Sequence, residues 1–193
     1  MKALLLVVLF MYILPFSSSG QKKELSTVET ILKPLLIKTD QKSYLYCSKA
    51  TDRIGDWKMQ RRVRDIMKIW YNAGPLGYPG DEDNGETSSW YVLSAMGFFP
   101  VCPGRPVYDI GSPIFDEVRL TLAEGKVFTI KARNVSVVNK YIQSATLNGK
   151  PLTKPWFEHK DMASGGTMVF VMGPRPNPTW GSAPEAVPPS MSQ

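Results

Sequence analysis

The stretch GYPGDEDNGETSSWYVLSAMGFFP, residues 77–100, decides how the rest of this chain is read. Its first ten residues place Asp81, Glu82 and Asp83 in a row between a Pro-Gly turn and an Asn-Gly turn; the remainder is an apolar run of helical length that stops at Pro100. Three adjacent acids repel one another, so the arrangement needs a cause. Gly80 and Gly85 permit tight turns at both ends. If the backbone between them is extended, Asp81 and Asp83 point to one side and Glu82 to the other. Two carboxylates on one side can hold a water between them, one accepting its proton and the other raising that basicity by charge repulsion. Acids ahead of a helix are also good partners for its free amides and its partial positive charge. The residues alone leave both readings open. An EF-hand is excluded: counted from Asp81, the fifth position is Gly85, where a ligand is required, and the glycine falls one place early.

Working outward, a helix beginning near Glu86 to Ser88 carries Trp90, Leu93, Ser94 and Gly97 on adjoining faces and ends before Pro100. Upstream, Asp56 can cap a helix whose Val63, Ile66, Met67 and Trp70 form an apolar stripe, and Gly74 and Pro75 terminate it. Helices therefore occupy 56–99. Downstream the pattern changes to short runs of β-forming residues punctuated by Gly and Pro. EVRLTL alternates Val118, Leu120 and Leu122; KVFTIKA alternates Phe128, Ile130 and Ala132; YIQSATL leads into Asn148-Gly149, a two-residue hairpin signal; TMVFVM is a continuous apolar strand. This β segment covers 107–173, and a proline-rich tail, 174–193, runs extended over the surface. Helices followed by an antiparallel sheet make the fold class α+β.

The N-terminus reads as an export signal over residues 1–20, with Lys2 ahead of an apolar run, Pro15 breaking it and small residues before Gln21. The run is short for a membrane span, which takes about 20 residues. The expectation is a secreted or periplasmic protein with no membrane attachment after cleavage. Residues 21–42 remain unassigned: Ser26 and Glu29 have capping-box spacing, and Pro34 interrupts the helical pattern that follows. Cys47 and Cys102 are compatible with a bridge or with two separate thiols. A single histidine, His159, and the lack of a CxxC pair weigh against zinc. Beside Glu158 and Asp161, that histidine reads as a surface residue.

The net charge of +6 owes much to Lys58, Arg61, Arg62, Arg64 and Lys68. On an exported chain this is the solvated face of a helix, and no nucleic-acid partner is expected. The five tryptophans are candidates for stacking on sugars, although Trp70 and Trp90 sit on helical stripes and belong to the core. Asn134-Val135-Ser136 is an N-glycosylation acceptor sequence in a eukaryotic secretory pathway.

The segment GYPGDEDNGETSSWYVLSAMGFFPVCPG resembles the signature near the C-terminus of family 92 glycoside hydrolases, which are secreted, calcium-dependent, exo-acting α-mannosidases of inverting mechanism. SYLY and DWKMQRRVRDIM upstream resemble the preceding helix of that family. YDIGSPIFDEVRL, NKYIQSATLNGKPL and GGTMVFVMGPRPNPTWG downstream resemble its closing strands. The resemblance covers about 43–190. It implies that the helices are the remnant of an (α/α)6 toroid. By motif position it makes Asp83 the general base that activates the attacking water, with Asp81 as its supporting carboxylate, and an α-mannoside glycan the substrate. It also implies Ca2+, without singling out a ligand or a sugar-binding residue here.

The family's general acid is a glutamate in an upstream segment that has no counterpart in this chain, and its His-containing stretch is replaced by Asp40 to Ser43. Glu86, Glu117, Glu124 and Glu158 are the alternatives on hand, and none lies in a motif that suits the role. The isolated chain is therefore expected to be inactive. It is read as a truncated secreted glycosidase, with two alternatives: a non-catalytic glycan-binding or structural module, or half of a split enzyme completed by another polypeptide.

Overall fold

The computed structural model describes residues 57–75, 77–101 and 104–189. Residues 1–20, read above as an export signal, the 21–42 segment, Asp56, the SYLY stretch and both cysteines lie outside the described residues. Among those described, two helices are followed by eight strands, with a short third helix between the last two.

Helix α1, Trp57–Trp70, buries Val63, Ile66 and Met67 of the predicted stripe, leaves its fourth member Trp70 half-buried against the same cluster, and extends the buried face one turn towards its start with Met59 and Gln60. The opposite face is basic and exposed at Lys58, Arg61, Arg62 and Lys68. Arg64 behaves differently. It is half-buried and donates to the carbonyls of Pro113, at 2.9 Å, and Ser136, so one charge of the basic run ties α1 to loops of the β segment. Asp65 adds ion pairs to Arg61, at 3.5 Å, and to Lys140, at 3.4 Å. Gln60 is buried because its Oε1 accepts the N–H of Ile142 at 2.8 Å, beside an irregularity in the β5 ladder. Leaving that amide unpaired in the core would be costly.

Helix α2, Glu86–Met96, ends at Gly97, whose N–H bonds back to Leu93 and Ser94 in a left-handed cap at φ 103°. A Cβ there would also lie 3.0 Å from the ring of Pro113. Backbone conformation and packing thus both require glycine at this position.

Strands β1 (Phe98–Phe99), β2 (Val107–Ile110) and β7 (Trp156–Glu158) form a small antiparallel sheet in the order β1-β2-β7. Strands β3 (Glu117–Thr121), β4 (Val127–Arg133), β5 (Tyr141–Leu147), β6 (Lys150–Pro151) and β8 (Gly166–Gly173) form the larger sheet in the order β3-β4-β8-β5-β6. Phe128, Ile130 and Ala132 line its buried face, as their alternation predicts. Asn148 and Gly149 adopt positive φ angles of 51° and 76° and close the β5–β6 hairpin. One pairing corrects the all-antiparallel expectation: β4 and β8 run parallel. Parallel neighbours need a long crossover, and the segment holding β5, β6, β7 and helix α3, His159–Ala163, supplies it.

Two cores result. The larger joins Phe98, Ile110, Phe128, Ile130, Met168 and Phe170 within the β segment; the smaller joins Met59, Val63, Ile66, Met67, Trp90 and Ala95 between the two main helices. The tail is less superficial than predicted. Trp180 enters the larger core and donates to the Leu152 carbonyl at 2.9 Å, and Ala186 accepts from the Trp156 indole at the same distance.

Candidate active site

The acidic loop lies between α1 and α2, and its backbone is pinned at several points. At its entry, Asn72 folds into a side-chain turn, its Oδ1 accepting the Gly74 N–H at 2.8 Å. The Tyr71 ring stacks on Trp90 with centroids 5.6 Å apart and lies 4.8 Å from Tyr91, while its hydroxyl donates to the Thr87 carbonyl at 3.2 Å. Tyr78 sets its ring edge-on to Tyr71 at 6.3 Å. At the exit, the carbonyls of Asp81, Glu82 and Asp83 accept from the Thr87 hydroxyl, the Thr87 N–H and the Glu86 N–H. The first turn of α2 thereby holds all three acids by their main chain.

The three side chains then diverge in role. Glu82 folds back over the start of α2, where its carboxylate accepts the N–H of Ser88 at 2.9 Å and that of Gly85. Hydrogen bonding to Ser88, through both side chain and backbone, followed by that to Gly85, holds its pKa below the usual glutamate value. Glu82 therefore does the capping, and it satisfies amides that α2 would otherwise leave unpaired. Asp81 and Asp83 are left exposed. The backbone is not extended through the acids: Asp83, Asn84 and Gly85 have φ of 56°, 58° and 99°. The two-residue alternation invoked from the sequence does not apply here, and the loop turns sharply where Asp83 sits. The sequence posed capping and chemistry as rivals; the loop assigns capping to Glu82 and keeps Asp81 and Asp83 on the surface.

The remaining acids are placed elsewhere. Glu86 begins α2 beside the loop. Glu117, Glu124 and Glu158 lie in the β segment, paired with Lys131, Lys126 and Lys160. His159 is exposed and hydrogen-bonds through Nδ1 to the Tyr108 hydroxyl at 2.9 Å. Among the described residues, no group of three or more His, Cys, Asp or Glu is placed to hold a metal ion.

Sequence reasoning passed over one acid. Asp109, on β2, is buried, and burial pushes its carboxyl up from an ordinary 3.8 to about 7. It sits opposite Phe99 on one side and Trp156 on the other. A polar residue within the short strand VYDI was the available signal.

The sequence profile described as the Glycosyl hydrolase family 92 catalytic domain matches residues 41–174. An uncharacterized secreted glycosidase of Arthroderma benhamiae is 39% identical over 136 residues, which is 68% of this chain and 17% of that protein. An inverting family 92 mannosidase of Bacteroides thetaiotaomicron is 43% identical with a TM-score of 0.71, over 80% of this chain and 20% of its own. A second family 92 α-mannosidase of that species is 33% identical with a TM-score of 0.72, again over 80% and 20%. The chain thus spans about a fifth of the length of these solved relatives. Among the described residues no helix is long and apolar enough to cross a membrane. With more than half of its length matched by the profile, this chain belongs to glycosyl hydrolase family 92.

Proposed function

We propose that the chain supplies the water-activating part of an inverting, exo-acting α-mannosidase site, and that the remaining part comes from residues outside those described or from a complementing polypeptide. Asp83 takes the proton of the water that attacks the anomeric carbon, and Asp81 orients that water and raises the basicity of its neighbour. The observation that carries this reading is the division of labour in the loop: Glu82 is committed to α2, while Asp81 and Asp83 stay exposed on a backbone pinned to the helix. Inversion requires a second carboxyl about 6.5–9.5 Å from the base, to protonate the leaving oxygen. Glu117, Glu124 and Glu158 are tied to lysines in the β segment, and Glu86, at the start of α2, lies in no motif that suits the role, so the general acid is assigned to residues outside those described or to the complementing polypeptide. Any calcium would draw its ligands from there too. Export through residues 1–20 fits a substrate of terminal α-linked mannose on extracellular or periplasmic glycans.

Purified protein incubated with an aryl α-mannoside and calcium is expected to show no turnover. Addition of a polypeptide carrying the upstream portion of a family 92 catalytic domain is expected to produce turnover, and Asp83→Asn in this chain to abolish it. Turnover by the chain alone that Asp83→Asn abolishes would overturn the need for a complement. Complemented turnover untouched by Asp83→Asn would overturn the assignment of the base.

A further inference from the structure

We propose that Asn134 is a site of N-linked glycosylation when the chain passes through a eukaryotic secretory pathway, and that the attached glycan covers an apolar turn of the β segment. The inference is independent of the active-site reading. The chain contains two Asn-X-Ser/Thr sequences, Asn134-Val135-Ser136 and Asn177-Pro178-Thr179. Proline in the middle position disqualifies the second. The structure separates them in the same sense. The Asn177 carboxamide is fully engaged: its Nδ2 donates to the Gln143 carbonyl at 2.9 Å, and its Oδ1 accepts from the Thr179 N–H and hydroxyl and from the Trp180 N–H.

Asn134 is exposed just beyond β4, at φ 63°, a left-handed conformation that asparagine tolerates. Only its backbone is anchored, its carbonyl accepting from Asn139 Nδ2 at 2.8 Å. Its own carboxamide makes no hydrogen bond among the described residues. Ser136 rigidifies the turn by accepting the N–H groups of Val138 and Asn139, at 3.3 and 2.9 Å. Immediately beside it, Val137 and Val138 are 72% and 64% exposed. Two neighbouring valines in open water on an exported protein call for a cover, and a glycan on Asn134 stands directly next to them.

The reaction joins the Asn134 Nδ2 to the anomeric carbon of an oligosaccharide carried on a lipid pyrophosphate. The C–N bond forms as the C–O bond to the pyrophosphate breaks; the lipid pyrophosphate leaves with the electron pair, and the amide gives up one proton.

The test is translation of the full chain into the lumen of eukaryotic microsomes behind a signal sequence of proven function, with protease protection to certify entry. The lumenal protein is expected to show one step of reduced gel mobility, reversed by a peptide-N-glycosidase, with peptide mass spectrometry placing the sugar on Asn134 and none on Asn177. Asn134→Gln, Ser136→Ala and Val135→Pro should each abolish the step. Ser136→Thr should retain it, which separates loss of the acceptor from misfolding. Protected lumenal protein that carries no glycan, or carries it elsewhere, overturns the proposal.

Discussion

The β segment and the helical pair are built to different standards of completeness. In the β segment, Phe128, Ile130, Met168 and Phe170 are sealed between strands, and even the tail contributes Trp180 to the core. The helical pair has a smaller core, and α2 is apolar on nearly every face, the pattern of a helix meant to be surrounded. Among the described residues Val92 on α2, Ile69 on α1 and Tyr78 beside the acidic loop are exposed, but the β segment leaves Val137 and Val138 exposed as well, so the two halves differ in the size of their cores rather than in exposed apolar side chains. The chain covers about a fifth of the length of its solved relatives, and among the described residues the acids belong to the half with the smaller core. The seam between the two halves is the small sheet. Phe98 on β1 joins the larger core, while Phe99, next in the chain, packs against the helical cluster.

The strongest test of this contrast is to open each core in turn. Phe128→Ala should cost about 3–5 kcal/mol by chemical denaturation and abolish the cooperative fold, as for other buried aromatic truncations. Val63→Ala, in the helical core, removes two methyl groups and should cost about 2 kcal/mol. Amide hydrogen exchange in the wild type should show α1 and α2 opening below the free energy of the β segment. Equal protection in both halves would remove the contrast.

Asp109 probes the seam itself. Opposite residues of an antiparallel pair share a face, so its carboxyl stands on the side of Phe99, towards the helical cluster, while Ile110 faces the larger core. Its folded pKa of about 7 exceeds the ordinary 3.8. The unfolded chain therefore releases this proton first. The stability associated with the protonated carboxyl is full below pH 4 and is lost as pH rises to 7, by up to roughly 4 kcal/mol at 1.36 kcal/mol per unit. Asp109→Asn should flatten this dependence and exceed the wild type in Tm at pH 8, with little difference at pH 4. Parallel curves for the two proteins would sink the assignment.

Gly97 tests how the first strand is handed from helix to sheet. Alanine at this left-handed position should cost about 1–2 kcal/mol in backbone strain, with the Pro113 contact adding to it. A change in Tm indistinguishable from zero would mean that the cap relaxes freely.

What the sequence revealed follows the range of the interactions involved. The α1 stripe, the β4 alternation and the Asn148-Gly149 turn are local patterns, and each is found where its residues predict. The parallel β4–β8 pairing, the Gln60 bond to β5 and the burial of Asp109 arise from segments far apart in the chain, and no window of residues contains them. The acidic loop lies between these cases. Its turns and its helix start were legible, but the assignment of capping to Glu82 depends on left-handed φ angles at Asp83 and Asn84, which no alternation rule anticipates.

That loop also yields the smallest expected effect on stability and the clearest separation of roles. Glu82 has its charge committed to the amides of Gly85 and Ser88, so Glu82→Ala should speed hydrogen exchange in the first turn of α2 and lower Tm. Asp81→Asn and Asp83→Asn remove exposed charges flanked by another acid, and each should shift stability by no more than about 0.5 kcal/mol. If the proposed chemistry is right, the order inverts in the complemented enzyme. Asp83→Asn then abolishes turnover in a protein as stable as the wild type, whereas Glu82→Ala lowers turnover only as far as it loosens the loop. A fold that weakens most at Asp83 and least at Glu82 would reverse the division of labour and return the three acids to a purely structural role.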